Sequence, residues 1–284
     1  MPFLTAHILR LPSFRAAVCR RLGMALCLLG GLAPVRAAGP SEAEGWQLLS
    51  GYLFRDAYDT FTLAPGDSRT RALGLAASRL NHPPVTASKV AEVEAQLRAL
   101  IAADGTDDTA MYARLLLARV LHLHHPAPLA GAEAAYREVI KANPAHPVAQ
   151  IAAGKLALLL LYQRPDLTVP QRLAAAAELE AVAGADLLPE AACAYYRALA
   201  GGALFYEVCD DRVLGWLRRA DAIGTHDVQL VSNVRIQLAE VARALGRREE
   251  AIAYYRHFLA TILPTDNRFL TARERMEALE TAAR

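Results

Sequence analysis

The feature that most restricts the fold of this chain is a pattern of helical apolar spacing broken by a single glycine. Residues 239–264 read AEVARALGRREEAIAYYRHFLATILP. After Gly246 the apolar positions recur every three or four residues, which is the spacing of one helix face. They are Ala251, Ile252, Tyr254, Tyr255, Phe258, Leu259, Ile262 and Leu263. Glu249 and Glu250 suit the first turn of this helix, and Pro264 stops it. The run VSNVRIQLAEVARAL before Gly246 has the same period, so two amphipathic helices are predicted to pack antiparallel.

This helix pair resembles the tetratricopeptide repeat (TPR), a unit of about 34 residues that folds as helix, turn and helix. The resemblance is carried by residues at the family's apolar, small, turn and aromatic positions. They are Leu238, Ala239, Ala242, Gly246, Ala251, Tyr255 and Phe258. Small residues such as Ala239 and Ala251 let the helices approach closely, and Tyr255 fills the space between neighbouring pairs. The resemblance implies an all-α fold in which helix pairs stack into a right-handed, TPR-like solenoid.

Degenerate copies of the pattern occur upstream. Their signature residues are Gly45, Leu48, Ala57, Phe61 and Ala64; Ala118, Leu121, Ala132, Tyr136, Val139 and Pro144; and Gly154, Ala175, Leu179 and Val182. Two more pairs are predicted from RALGLAASRLN with SKVAEVEAQLRALIAADG, and from EAACAYYRALAGGALFYEV with DDRVLGWLRRADAIG. The sequence therefore predicts about six pairs in one array over residues 38–264, followed by a capping helix over 265–284. Prolines fall at the proposed boundaries, where they do least harm to helices.

The first 37 residues have the pattern of a secretory signal peptide. Four arginines precede the apolar run LGMALCLLGGLAPV, and Val35 and Ala37 occupy the small-residue positions before a cleavage site. The apolar run is shorter than the ~20 residues of a spanning helix, so a permanent anchor is the less favoured alternative. We expect export to the periplasm or cell envelope, alternatively secretion, and no stable membrane span after cleavage.

Cleavage after Ala37 changes the charge balance. The whole chain has 31 basic and 29 acidic residues, and the removed segment carries five arginines and no acidic residue. The mature chain therefore has a net charge near −3. Binding to nucleic acid is not expected, because it needs a clustered excess of positive charge.

No residue cluster predicts catalysis, a cofactor or a metal. His122, His124 and His125 close one helix and His146 lies nearby, but spacings of two and three do not place the first three on one helix face. Histidines near a helix C-terminus are favourable through the helix dipole alone. The acidic segments DGTDD and CDD are predicted to form turns and helix caps. Cys193 and Cys209 lie too far apart along helices for a disulfide and are predicted to be free and mostly buried.

The resemblance to the TPR family implies a concave groove formed mainly by the first helix of each pair, and the repeat register places arginines in it. The predicted partner-binding residues are Trp46, Arg71, Tyr112, Arg119, His122, Lys155, Arg197, Asn233, Glu240 and Arg243. Five of them are cations and one is an anion, which favours a protein or peptide partner that is acidic. The apolar run KLALLLLYQ, residues 155–163, is predicted to be enclosed by neighbouring helices, with a hydrophobic groove as the alternative.

Two functions fit this reading. The favoured one is an exported, non-enzymatic scaffold that binds an extended segment or a surface of another protein. The alternative is a self-associating structural subunit, or an accessory subunit of a separate envelope enzyme.

Overall fold

The computed structural model describes residues 39–125 and 129–281, so the predicted signal peptide lies outside the described residues. In these two ranges all regular secondary structure is helical, which confirms the predicted all-α class. The helices are α1 (Glu42–Ser50), α2 (Phe54–Leu63), α3 (Arg69–Asn81), α4 (Ala87–Ala103), α5 (Asp108–His124), α6 (Ala130–Ala142), α7 (Pro147–Tyr162), α8 (Val169–Ala177), α9 (Glu180–Ala183), α10 (Pro189–Phe205), α11 (Asp211–Ile223), α12 (Val228–Ala244), α13 (Arg248–Thr261) and α14 (Phe269–Thr281).

Most helices pack against their neighbours in sequence, as the pair pattern predicted. A helix, α14, is present in the region 265–284, and its role as the cap of the array stays a prediction. The fourth pair differs from the prediction, because the chain turns at Glu178 and separates α8 from the short helix α9. This turn brings Ala183 onto α7, where it is fully buried.

The chain divides into two compact units, one ending at Val120 and the other beginning at Leu121. The first unit contains α1 to α4, which pack in chain order, and the second contains α6 to α14. The boundary falls within α5. The single array expected from the sequence stays a prediction.

The last helix pair follows the pattern read from its sequence. Gly246 adopts the positive φ of 71° that the turn between α12 and α13 needs. Ala239 and Ala251 are fully buried, so they allow the two helices to approach closely. Leu263 was predicted on the apolar face, but it is 73% exposed because α13 already ends at Thr261.

Helix ends are closed by the residue types that the sequence suggested. Asp210 is the N-cap of α11 and accepts hydrogen bonds from the amides of Arg212 and Val213. Asp104 accepts from the amide and hydroxyl of Thr106, and these hydrogen bonds hold the pKa of its carboxyl below the usual value. The prediction that the acidic segments form turns and caps is confirmed. Prolines within the described ranges lie in loops or in the first turns of helices, as predicted.

Helix α7 is buried along most of its surface, as its apolar sequence predicted, and leaves one face open at Gly154, Leu158 and Tyr162. It packs against α6, α8, α9 and α10 and buries ten residues along its length. One of them is polar: the side chain of Gln150 donates to the carbonyls of Ala183 and Ala185 and accepts from the amide of Leu188. This amide therefore fastens the chain between α9 and α10 to the core.

The two described cysteines are both free, but only one is buried. Cys193 is buried in α10, and its thiol donates to the carbonyl of Ala220 at 3.5 Å. Cys209 was also predicted to be mostly buried, and that prediction is wrong. It lies in the turn before the cap of α11, where the side chain meets solvent.

Among the described residues, none of the helices is long and apolar enough to cross a membrane.

Candidate functional site

The exposed face of α10 is made largely of small residues. Ala194, Ala198 and Gly201 recur at helical spacing on its solvent side, and Phe205 ends the same face. Most other residues of the helix are buried, and α10 packs mainly on α7 and α11. The face therefore offers backbone and methyl groups to solvent, with one large side chain in its last turn.

A second open face lies on α7. Gly154, Leu158 and Tyr162 follow one another four residues apart; the first two are half-buried and Tyr162 is exposed. This face is therefore open at its glycine and becomes apolar and aromatic toward the end of the helix.

The two helices run in the same direction and touch closely, because Gly202 has no side chain. A Cβ at that position would lie 3.0 Å from Leu161. Near the other end of the pair, the side chain of Gln150 bonds to the amide of Leu188, just before α10 begins. The exposed faces of α7 and α10 are thus neighbours.

Three aromatic rings meet where α7 and α10 end. Tyr162 and Phe205 contact edge to face with ring centroids 5.7 Å apart, and Tyr206 lies 5.0 Å from Phe205. Tyr206 is fixed in place, because its hydroxyl donates to the Leu161 carbonyl and accepts from Arg172. Tyr162 and Phe205 remain exposed, at 41% and 68%.

Two predicted cations belong to these helices. Lys155 and Arg197 are both half-buried, on α7 and α10 respectively. Arg197 lies one turn beyond Cys193. Burial raises the pKa of the Cys193 thiol, and the charge of Arg197 opposes that rise only in part. The thiol therefore stays protonated at neutral pH and is not an activated nucleophile.

Three further predicted residues lie on α12 beside α14. Asn233 accepts a hydrogen bond from Arg268 at 2.6 Å. Glu240 accepts from Tyr255 at 2.5 Å, from Arg243 at 3.0 Å, and from Arg275 of α14. Burial alone would raise the pKa of Glu240, but these hydrogen bonds outweigh it and place the pKa below its usual value. Glu240 thus links α12 to α13 and α14, and Arg243 of the same helix pairs with its carboxylate.

We predict that Glu240→Gln lowers the free energy of unfolding by about 1 kcal/mol at pH 7, because it removes a partly exposed carboxylate with charge-assisted hydrogen bonds. A depressed folded pKa contributes stability above the unfolded value and loses it as pH falls through the folded value. The difference between wild type and variant should therefore shrink below about pH 4. Urea unfolding at several pH values measures it. Glu277→Gln is the control, because Glu277 is exposed and its pair with Arg273 is long, at 3.8 Å. An equal loss in both variants, or a loss that does not change with pH, would contradict the prediction.

Four predicted residues lie in the first unit. Trp46 contacts Phe61 edge to face with centroids 5.3 Å apart. Arg71 donates to the carbonyl of Phe61 at 2.7 Å and to that of Gly66, so it closes the loop between α2 and α3. Tyr112 is half-buried, and burial, with the charge of Asp108, raises its pKa. Arg119 is also half-buried. Trp46 and Arg71 therefore have packing and loop-closing contacts of their own.

His122 lies in the second unit, at the end of α5. Its Nδ1 is 3.2 Å from the hydroxyl of Tyr136, and its Nε2 is 3.0 Å from the side-chain oxygen of Gln163. His146 is instead the N-cap of α7 and accepts from the amide of Val148. Within the described residues no three His, Cys, Asp or Glu side chains are placed to hold a metal ion.

Within the second unit the structure joins the faces of α7 and α10, where Lys155 and Arg197 lie. The sequence reasoning missed Tyr162 and Phe205 on the same faces. A signal for them was present, since Tyr162 lies seven residues after Lys155 and Phe205 eight after Arg197, which are both helical repeats. Extending the register to the last turn of each helix finds them.

No protein-family model matches the chain, and no curated protein matches it.

Proposed function

We propose that this chain is an exported, non-enzymatic scaffold that binds an acidic protein or peptide partner. Binding uses the exposed faces of the first helix of each pair. The observation that supports this most is the joined face of α7 and α10 in the second unit. It combines small residues, exposed aromatic rings and cations, which together suit a peptide main chain, apolar side chains and carboxylates.

The proposal includes a TPR-like arrangement of the pairs. Its support is a contact offset close to one repeat length, about 34 residues. Arg268 bonds to Asn233, and Arg275 to Glu240, each across 35 positions. α14 therefore lies along α12 in the same direction, as the first helix of a next repeat would.

Cross-linking tests the scaffold function. A photoreactive amino acid in place of Ala198, on the exposed face of α10, should yield a specific cross-linked partner in cells that express the protein. The control is the same substitution at Ala222, which is exposed on α11, the second helix of that pair. Mass spectrometry identifies the products. Equal products from both positions, or none from Ala198, would argue against partner binding on the first helices.

Export is part of the proposal and has its own test. The pattern of residues 1–37 predicts cleavage after Ala37, leaving Ala38 as the first residue of the mature chain. N-terminal sequencing of protein recovered from the envelope or the medium measures the cleavage point. Recovery of the uncleaved chain in the membrane fraction would favour an anchored protein instead.

A further inference from the structure

We infer that the groove between α7 and α10 binds an extended acidic peptide segment. Its main chain lies over Gly154 and Gly201, an apolar side chain packs on Tyr162 and Phe205, and a carboxylate pairs with Arg197. This inference rests on the proposed scaffold function and names the site and the chemistry of its ligand.

The floor of the groove is open to a close approach. Apart from the adjacent residues and the backbone of its own helix, a Cβ added to Gly154 or Gly201 would meet no atom within 4 Å, whereas one added to Gly202 would contact Leu161. Packing inside the chain therefore explains Gly202 and leaves Gly154 and Gly201 without such a reason. Space is therefore left at these two glycines for a ligand main chain to lie directly on the helices.

The aromatic end of the groove supplies an apolar contact. Phe205 is two-thirds exposed, yet its neighbour Tyr206 is held by hydrogen bonds to Leu161 and Arg172. Leu158, half-buried one turn before the end of α7, adds an aliphatic side chain to the same end. The packed rings are therefore positioned before any ligand arrives. When an aromatic or large aliphatic ligand side chain packs on these rings, the protein side chains lose little conformational freedom, which favours binding.

Arg197 stands apart from the other arginines of the second unit. Among those that the structure describes, it is the one without a hydrogen-bonded or carboxylate partner; the others pair with carboxylates, carbonyls or hydroxyls. It is also half-buried, so part of its hydration is lost without compensation. A ligand carboxylate in the groove would replace the hydration that the Arg197 guanidinium has lost.

The surrounding charge also favours an acidic ligand. Lys155 adds a second positive charge on α7. On the exposed faces of the two helices the one carboxylate is Glu190, in the first turn of α10 and two turns before Arg197. Its carboxylate lies 3.9 Å from His226, outside α7 and α10. Along α7 and α10 themselves, the stretch from Arg197 to Phe205 therefore carries positive and apolar side chains.

Helix geometry fixes the spacing of the ligand's two contacts. Arg197 and Phe205 are eight residues apart, or about 12 Å along the helix. An extended peptide rises about 3.3 Å per residue, so side chains four positions apart span about 13 Å and point to the same side. The predicted ligand carries an apolar residue and an Asp or Glu separated by four positions.

A random decapeptide library displayed on phage tests this site. Peptides selected on the purified protein should carry the apolar and acidic residues at that spacing, and fluorescence anisotropy then measures synthetic copies. Arg197→Glu, Phe205→Ala and Gly201→Leu should each weaken their binding about tenfold or more, the loss expected from a charge pair or a well-packed contact. Exchanging the acidic residue of the peptide for its amide should weaken binding by a similar factor.

Gly215→Leu is the matched control. Gly215 is also a mid-helix glycine with no atom within 4 Å of an added Cβ, but it lies on α11. This variant should bind selected peptides like the wild type, and circular dichroism checks that both leucine variants remain helical. If Gly201→Leu unfolds, Gly201→Gln and Arg197→Glu carry the test. Peptides that bind all groove variants normally would overturn this site while leaving the scaffold function standing. A library without enrichment would also overturn the site, and cross-linking at Ala198 then decides the scaffold function separately.

Discussion

Replacing Gln150 with leucine should lower the free energy of unfolding of the second unit by about 3 kcal/mol, because several partly or fully buried backbone groups lose their partners. Gln150 is 1% exposed. Its amide nitrogen donates to the carbonyl of Ala183 at 3.2 Å and to that of Ala185, and its oxygen accepts from the amide of Leu188 at 2.8 Å. Leucine has a similar size but neither a donor nor an acceptor.

Two measurements check the effect of Gln150→Leu. Urea unfolding followed by circular dichroism gives the change in free energy, and hydrogen exchange at the Leu188 amide should become faster as its acceptor is lost. The control is Gln96→Leu, since Gln96 is exposed on α4. That change should stay within about 0.5 kcal/mol, as for ordinary surface positions. Unchanged exchange at Leu188 in the Gln150 variant would show that the side chain does not hold the segment before α10.

The burial of most of α7 could be predicted from sequence, but the role of Gln150 could not. A helix that is apolar on almost every side is expected to be buried on most of its surface, and KLALLLLYQ is such a run. Gln150 binds carbonyls that follow it by 33 and 35 positions. Nothing in local spacing shows which backbone groups a distant turn will leave open. Helix pattern determines burial, whereas long-range hydrogen bonds depend on how the turns close.

The same limit applies to the candidate site. A helical register can place Arg71 and Arg197 on the outward side of their helices, but a long side chain can reach in several directions. Arg71 reaches the carbonyls of Phe61 and Gly66, while Arg197 has no such partner among the described residues. The glycine pattern was equally ambiguous, because Gly201 and Gly202 are adjacent and only the second is required by packing. Only the three-dimensional contacts separate residues that stabilise the fold from residues available to a ligand.

Replacing Gly74 with alanine should lower the free energy of unfolding of the first unit by about 2 kcal/mol, even though alanine favours helices over glycine. Phe61 is fully buried between Gly45 of α1 and Gly74 of α3. A Cβ at Gly74 would lie 2.4 Å from the Phe61 ring, and one at Gly45 would lie 2.7 Å from it. The ring cannot move away from one helix without meeting the other, so the strain of overpacking exceeds the gain in helix propensity.

The sign of the effect separates this explanation from a general property of glycine in helices. Gly215→Ala, in a helix with open space at that position, should raise the free energy of unfolding by up to about 1 kcal/mol. Combining Gly74→Ala with Phe61→Leu should cost less than the sum of the two single changes, because the smaller side chain leaves room for the new methyl group. Urea unfolding of the four variants measures both comparisons. If the two changes at Phe61 and Gly74 are additive, or if Gly74→Ala stabilises as Gly215→Ala does, then Phe61 is not confined between the two glycines and α1 to α3 pack differently.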